Sequence, residues 1–379
     1  MRVLISPNAF KNSLTASAAA AAIEEGLQQS DLQCDTKLFP IGDGGDGTGS
    51  LITSLLNGRT VTAPAVDALN RNIQAEYGLI NDGRTAVIEM AAASGLHLLH
   101  RSELDPLYAS SFGTGMQLKQ AIDEGAREIL LCVGGSATVD GGSGLLQALG
   151  FRFYDESGRL LTQLPMDLSR LSVVDPSFVD ERLRHCAITI LCDVKNPLLG
   201  GQGAAAIFGP QKGASPEQVQ QLESRLAQFA KIILQQTGKD ISGITHGGAA
   251  GGIAATLSAL LNAKLVSGSD YFLQLTRFDK ALQAVDLVIT GEGSLDKQTL
   301  EGKAPFAVAE HCRKHAVPAV AMAGKIDDAQ ALQEYFSRLL CINETMSSLE
   351  EMLAATRINL IKAARTLGNE LAQKSRSTL

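Results

Sequence analysis

Asp43 and Asp46 stand in the run Gly42-Asp43-Gly44-Gly45-Asp46-Gly47, directly after an apolar stretch. The spacing formally matches the Gly-x-Gly-x-x-Gly pattern of dinucleotide folds. Two carboxylates in such a loop would repel a pyrophosphate unless a cation lay between them. Hard oxygens of this kind suit Mg²⁺, which bridges carboxylates to phosphates, or a substrate hydroxyl. The plainer alternative is an acidic turn in which Asp caps the next helix. A second loop, Gly134-Gly135-Ser136-Ala137-Thr138-Val139-Asp140-Gly141-Gly142, holds four Gly in nine residues, more than a bare turn needs. Its backbone N–H groups, with the hydroxyls of Ser136 and Thr138, can form an anion nest. A third, Ser110-Ser111-Phe112-Gly113-Thr114-Gly115, leads into a helical pattern at Met116–Glu124. Its hydroxyls and N–H groups suit a small carboxylate or phosphate, although simple N-capping would use the same residues.

Further acids follow two other apolar runs. Asp193 comes just after Ala187–Cys192, and Glu292 and Asp296 come after Asp286–Thr290. Ligands of open α/β sheets bind outside the carboxyl ends of strands, which makes Asp193 a candidate base or metal ligand. Lys11, six residues past the first apolar run, and Lys212, in Gly209-Pro210-Gln211-Lys212-Gly213, could each neutralise a phosphate or simply be solvated. A Walker A loop is absent: Lys239, Lys303 and Lys325 follow Gly, but none is followed by Ser or Thr. There is no Gly-x-Ser-x-Gly elbow. His97 with His100, and His311 with His315, have helical spacing, but the latter pair sits beside Arg313 and Lys314 on a pattern that reads as exposed, so a zinc site is not expected.

Holding such loops requires strands that end at them and helices that follow. Arg2–Ile5, Thr36–Ile41, Ile129–Val133, Ala187–Cys192, Asp286–Thr290, Val317–Met322 and Arg338–Ile342 read as strands, most of them the Val/Ile/Leu-rich runs of a buried parallel sheet. Ile73–Leu79 and Thr85–Met90 flank Asn81-Asp82-Gly83, a hairpin signal. A helix is expected over Thr15–Gln28 with Ser13 as a candidate cap, and another over Pro216–Gln236, where Ser215, Pro216 and Gln218 have capping-box spacing. Alternation of strand and helix argues an α/β fold.

The composition agrees. The chain has 379 residues, 45% of them hydrophobic and 19% charged, which suits about two domains with sizeable cores. A net charge of −7 argues against nucleic acid as a partner. Glycine is abundant, at 37 residues, with 12 Phe, 5 Tyr and no Trp. The six Cys show no Cys-x-x-Cys pair and read as free thiols. The longest uncharged stretch, His246 to Ala263, is interrupted by Gly and polar residues and fits a buried helix better than a membrane span. A cytoplasmic protein is expected, with no membrane partner; a homodimer is compatible with the sequence and is not read from it.

Taken together, these segments resemble the type 1 glycerate kinase family over nearly the whole length. The resemblance rests on Ser6–Leu14, Pro40–Thr48, Ala109–Gly115, Gly134–Gly142, Cys192–Leu198, Ala206–Ala214, Gly247–Gly252, and Thr290–Thr299 continuing to Gly302-Lys303-Ala304-Pro305. The chain carries Asn8 where the family usually has Asp, and Ser294 where it usually has Arg. The resemblance implies Mg²⁺-dependent phosphoryl transfer from ATP to D-glycerate, giving 2-phosphoglycerate. Glycerate 3-kinase activity, a kinase of another small hydroxy acid and a non-catalytic sugar-acid sensor are the alternatives. It also implies two α/β domains, the first a Rossmann- or flavodoxin-like parallel sheet. We expect that domain to be discontinuous, residues 1–65 plus 285–379, with 66–284 inserted as the second and the active site in the cleft between them. On this reading Asp193, Lys11 and Asp296 are catalytic, with Asp193 as the general base. Ser110, Ser111, Thr114 and Asp46 bind glycerate. Gly134, Gly135, Ser136, Thr138, Asp140, Lys212 and Glu292 bind ATP, and Asp43 and Asp193 hold the metal.

Overall fold

The computed structural model describes residues 1–296, 302–327, 329–343 and 348–377; the Lys297-Gln298-Thr299 part of the last sequence motif lies outside them. The chain forms two compact units, Met1–Asp43 with Ser269–Leu379, and Gly44–Gly268. In the first, five strands run parallel in the order Arg338–Cys341, Ala319–Ile326, Leu287–Leu295, Arg2–Pro7, Asp35–Leu38. Ile5, Ile289 and Val320 lie in register across the three middle strands and are buried, as the continuous apolar runs require of a sheet covered on both faces. Helices Ala16–Gln28 and Leu349–Ser377 join this core through Ile23, Leu27, Leu360, Ala364 and Leu367. The cap of the first of these helices is Thr15, whose hydroxyl accepts the Ala18 N–H at 3.2 Å. Ser13, the expected cap, instead donates to the Leu353 carbonyl at 2.6 Å.

The second unit is built on six strands in the order Lys264–Val266, Ala187–Leu191, Glu128–Cys132, Thr85–Glu89, Asn72–Ile80, Arg59–Val66. The first four are mutually parallel and the last two antiparallel. The hairpin lies where Asn-Asp-Gly predicts it: Asn81, Asp82 and Gly83 all have left-handed φ, 52°, 54° and 82°, the backbone that such residues tolerate. Helix Pro216–Thr237 carries the complete capping box between Ser215 and Gln218 and stops at Gly238, φ 72°. Its Leu222, Leu226, Phe229 and Ile233 are buried, and Phe229 meets Phe153 edge-on at 5.9 Å. The stretch from His246 to Ala263 forms a short 3₁₀ turn, Ala249–Gly252, and the buried helix Ile253–Leu261. Among the described residues no helix is long and apolar enough to cross a membrane. An antiparallel pair, Arg152–Tyr154 with Val173–Asp175, is too short to have left a periodic signal.

The units divide at Asp43/Gly44 and Gly268/Ser269, not at 65/66 and 284/285. Packing explains the difference. Helix Thr48–Leu55 lies against the hairpin strands of the second unit, so closely that a Cβ on Gly78 would stand 1.8 Å from Thr53 Oγ1. At the other junction Phe278 is fully buried against Phe39, ring centroids 5.3 Å apart, which ties that segment to the first unit.

Gly26, inside Ala16–Gln28, has no room for a side chain: a Cβ would stand 2.3 Å from the Ile361 carbonyl oxygen and 2.7 Å from Ala364 Cβ. Gly26→Ala should therefore destabilise, because overpacking costs about 1–3 kcal/mol and the helix-propensity gain returns at most about 1 kcal/mol. The urea midpoint should fall; a raised midpoint would show that the two helices separate freely.

Candidate functional site

Each unit gathers polar residues at the carboxyl ends of its parallel strands, where α/β sheets bind ligands. In the first unit the relevant strands are Arg2–Pro7 and Leu287–Leu295, which are neighbours. Asn8 follows the former. Its N–H bonds the Gly291 carbonyl, its Oδ1 accepts the Ala9 N–H at 2.8 Å, and its Nδ2 donates to Asp43 Oδ2 at 2.9 Å. Glu292 is buried, and burial pushes its carboxyl up to about 8; Asp43 and Asp296 push the same way, while Lys303 and Lys11 oppose them. Lys303 Nζ bonds Asp296 Oδ1 at 3.2 Å. Lys11 is exposed on the loop that passes over Gly293. So Lys11, Asp43, Glu292 and Asp296, to which the sequence gave separate roles, share one neighbourhood. Lys303 joins them; in the sequence it stood in the Gly302-Lys303-Ala304-Pro305 segment of the family resemblance and was given no role of its own.

His311 and His315, read as exposed, both reach Asp279 Oδ1, at 2.5 and 3.3 Å, and the His311 ring is mostly covered. Hydrogen bonding and charge from the two imidazoles hold the Asp279 carboxyl below its usual range against the opposing effect of burial.

In the second unit the loops follow strands Thr85–Glu89, Glu128–Cys132 and Ala187–Leu191. The Gly42–Gly47 motif is divided between the units, Asp43 in the first and Asp46 in the second. Gly44 has φ 85°, and its carbonyl accepts the Gly134 N–H at 2.9 Å. A Cβ on Gly134 would stand 2.3 Å from Gly45 Cα, so the two glycine loops touch backbone to backbone. Asp46 is exposed, with its Oδ2 3.7 Å from His97 Nδ1. The dinucleotide alternative fails on geometry. The N–H groups at the start of Thr48–Leu55, where a pyrophosphate would sit, already hold the Glu89 carboxylate, with Gly49 N–H at 2.5 Å. Burial pushes the Glu89 carboxyl up to about 7.

The hydroxyl loops face inward. Asp140 is fully buried and accepts the Ser111 N–H (2.9 Å) and O–H (2.6 Å) and the N–H groups of Gly142 and Gly144 (3.0 and 3.2 Å). Ser111 Oγ in turn accepts the Leu145 N–H. Thr114 pairs with Ser94 at 2.9 Å, and Ser110 Oγ accepts the Phe112 N–H. Ser111 thus meets a buried carboxylate of the chain itself, and Thr114 a neighbouring hydroxyl, where the sequence offered both, with Ser110, to a substrate carboxylate. Lys212, offered by the sequence to a phosphate, also has partners inside the unit. It is 3% exposed, and its ammonium donates to Ser136 Oγ (2.8 Å) and the Thr138 carbonyl (2.6 Å), bracing the Gly134–Gly142 loop from behind. Thr138 Oγ1 and Ser143 Oγ are buried there without a hydrogen bond. Asp193 lies two residues beyond its strand, with Oδ1 accepting the Gly268 N–H at 2.7 Å and the Ser267 hydroxyl at 3.4 Å. All six cysteines are free, and burial pushes the Cys192 and Cys312 thiols up to about 12.

The sequence profile of the glycerate kinase family matches residues 3–372. The chain belongs to that family. It is 40% identical to a glycerate kinase of Halalkalibacterium halodurans, covering 94% of this chain and 97% of the relative. It is 37% identical to the glycerate 2-kinase of Escherichia coli over 98% of each chain. The fold is also that of the crystal structure of a protein described as glycerate kinase 2 of Salmonella typhimurium LT2, at a TM-score of 0.82 and 37% identity, covering 100% of this chain and 99% of that one.

Burial pushes the Lys212 ammonium down to about 7 from its ordinary 10.5, with Asp140 opposing the shift. Above pH 7 the unfolded chain therefore keeps a proton that the folded chain has lost, so this group makes stability rise with pH between about 7 and 10.5. Lys212→Met should remove that rise, worth about 2 kcal/mol between pH 7 and pH 9. Urea midpoints of both proteins at the two pH values measure it; identical pH trends would place the ammonium in water.

Proposed function

We propose that this chain transfers the γ-phosphoryl group of ATP to D-glycerate and yields 2-phosphoglycerate. The observation that carries the reading is the match, over 98% of each chain, to a relative named glycerate 2-kinase. The residues support it. Phosphoryl transfer asks for positioning and charge neutralisation more than covalent chemistry. Lys11 and Lys303, at the carboxyl ends of the first unit's central strands, suit the negative charge of phosphate oxygens. Asp43 and Asp296 offer hard oxygens of the kind that Mg²⁺ shares with a nucleotide; bound there, the ion would offset charge on the transferring group. Glu292, pushed up to about 8 by burial, carries a proton at neutral pH and presents an O–H to such a nucleotide in place of a charge. The Gly134–Gly142 backbone, braced by Lys212 and Asp140, serves as an anion cradle in which Lys212 itself does not touch the phosphate. Asp46 suits a glycerate hydroxyl. Free thiols at every cysteine support a reducing, cytoplasmic setting.

Phosphorus NMR of the product from ATP, Mg²⁺ and D-glycerate tests the reading. A phosphate on C2 couples to one carbon-bound proton and gives a doublet, whereas one on C3 couples to two and gives a triplet. The doublet is expected. A triplet would make the enzyme a 3-kinase, and an absent product would return the chain to another hydroxy acid or to a binding role.

Asp193 is the general base in this reading. Asn at this position keeps the Oδ1 that accepts the Gly268 N–H but lacks proton affinity. Asp193→Asn should lower kcat roughly 10²–10⁴-fold with little change in either KM. If kcat at saturating Mg²⁺ survives and only the metal requirement rises, Asp193 is a metal ligand.

A further inference from the structure

Glu89 ends the parallel strand Thr85–Glu89 and lies opposite Cys132 in the ladder, two residues before Gly134. Its side chain turns to the beginning of helix Thr48–Leu55. One carboxylate oxygen accepts the Gly49 N–H at 2.5 Å, and the N–H groups of Gly47 and Ser50 also point to the carboxylate. The cap residue of that helix, Gly47, has no side chain with which to satisfy these donors, and its φ of 87° is one that Gly tolerates. Gly49 is part of the same fit: a Cβ there would stand 2.6 Å from Glu89 Cγ. An ordinary helix start is capped by a Ser, Thr or Asp within its own loop. Here the acceptor is a largely buried carboxylate brought from a neighbouring strand, at a cost in desolvation that a surface cap avoids.

The loop so held is the one that carries Asp46. Its Gly44 N–H bonds Thr48 Oγ1 at 3.1 Å, and its Gly44 carbonyl takes the Gly134 N–H. Glu89 therefore sits behind both glycine loops, joined to one through its carboxylate and to the other through its strand pairing. It has no part in the motifs that the sequence brought forward, and Asp46 is the acid whose charge acts on it.

We propose that Glu89 is a positioning residue for the phosphorylation of glycerate: it fixes the Gly44–Gly47 backbone so that the Asp46 carboxylate receives a glycerate hydroxyl in one orientation. The proposal rests on the glycerate kinase reading above. It assigns Glu89 no contact with substrate.

Three variants test it: Glu89→Ala, Glu89→Gln and Gly49→Ala. Glu89→Ala should raise KM for glycerate about tenfold or more and leave KM for ATP within about twofold, since only one substrate loses a correctly oriented partner. Glu89→Gln keeps an oxygen for the Gly49 N–H and should restore most of the loss. Gly49→Ala drives a methyl into the Glu89 side chain and should reproduce the Ala phenotype with the carboxylate still present. Amide hydrogen exchange at Gly47, Gly49 and Ser50 should speed up in Glu89→Ala, which reads the clamp without reference to turnover. If Glu89→Ala does not fold, Glu89→Gln and Gly49→Ala carry the comparison. Equal rises in both KM values, or wild-type KM and exchange in Gly49→Ala and Glu89→Ala, overturn the positioning role while leaving the kinase reading intact. A wild-type chain that forms no phosphoglycerate overturns both.

Discussion

A carboxylate taken out of water has to be met by donors, and Asp140 is where the second unit satisfies that demand. Four donors converge on it, two from Ser111 and one each from Gly142 and Gly144. Those donors come from two loops far apart in sequence, so the acid knots the start of helix Phe112–Asp123 to the glycine-rich turn that opens Ser143–Ala148. The Lys212 ammonium, also buried, lies within electrostatic reach of the knot and holds the same turn through Ser136 and Thr138. Removing one partner from such a network leaves the others unpaired in a low dielectric. That holds the Gly134–Gly142 turn in one arrangement, the condition under which the backbone N–H groups of the proposed anion cradle would stabilise charge most effectively.

The other buried acids take different routes. Glu89 is offered backbone N–H groups, and its carboxyl is still pushed up to about 7, because burial outweighs the hydrogen bonds. Glu292 sits among two lysines and two aspartates whose charges oppose one another, and burial again prevails. Displaced carboxyl groups of this kind gather where chemistry happens, and here they stand at the strand ends that the fold itself marks out.

Much of this was legible in the sequence. Val- and Ile-rich runs gave the parallel strands, Asn81-Asp82-Gly83 the hairpin, and Ser215 with Gln218 a capping box that the structure completes. The ordered motifs gave the family. What could not be read was direction. Ser111, Thr114 and Lys212 sit in loops of the right composition, but a sequence does not show which groups inside the fold they meet, and here these are Asp140, the Ser94 hydroxyl and the Thr138 carbonyl. Glu89 was missed because the strand was read through to Met90, which placed the acid inside an apolar run and not at its end. Lys303 lay in a segment that carried the family resemblance, but eight residues past the end of its strand nothing in the sequence showed that its ammonium reaches Asp296. That the two acids of the Gly42–Gly47 motif belong to different compact units could not be read either, since it is set by where Thr48–Leu55 packs and not by loop composition.

The strand order of the first unit also imposes a timetable on synthesis. Arg2–Pro7 lies in the middle of its sheet, and one of its two neighbours is Leu287–Leu295, some 280 residues further along the chain. Residues 44–268 are continuous and can reach a complete sheet while the ribosome is still translating. The opening strand must meanwhile wait with one edge unpaired, and such an edge is a template for wrong partners. The loop closure that ends the wait is costly because the intervening segment is long, although a segment that has already folded shortens the effective span. Completion of the first sheet thus waits on strands that emerge only after the whole second unit.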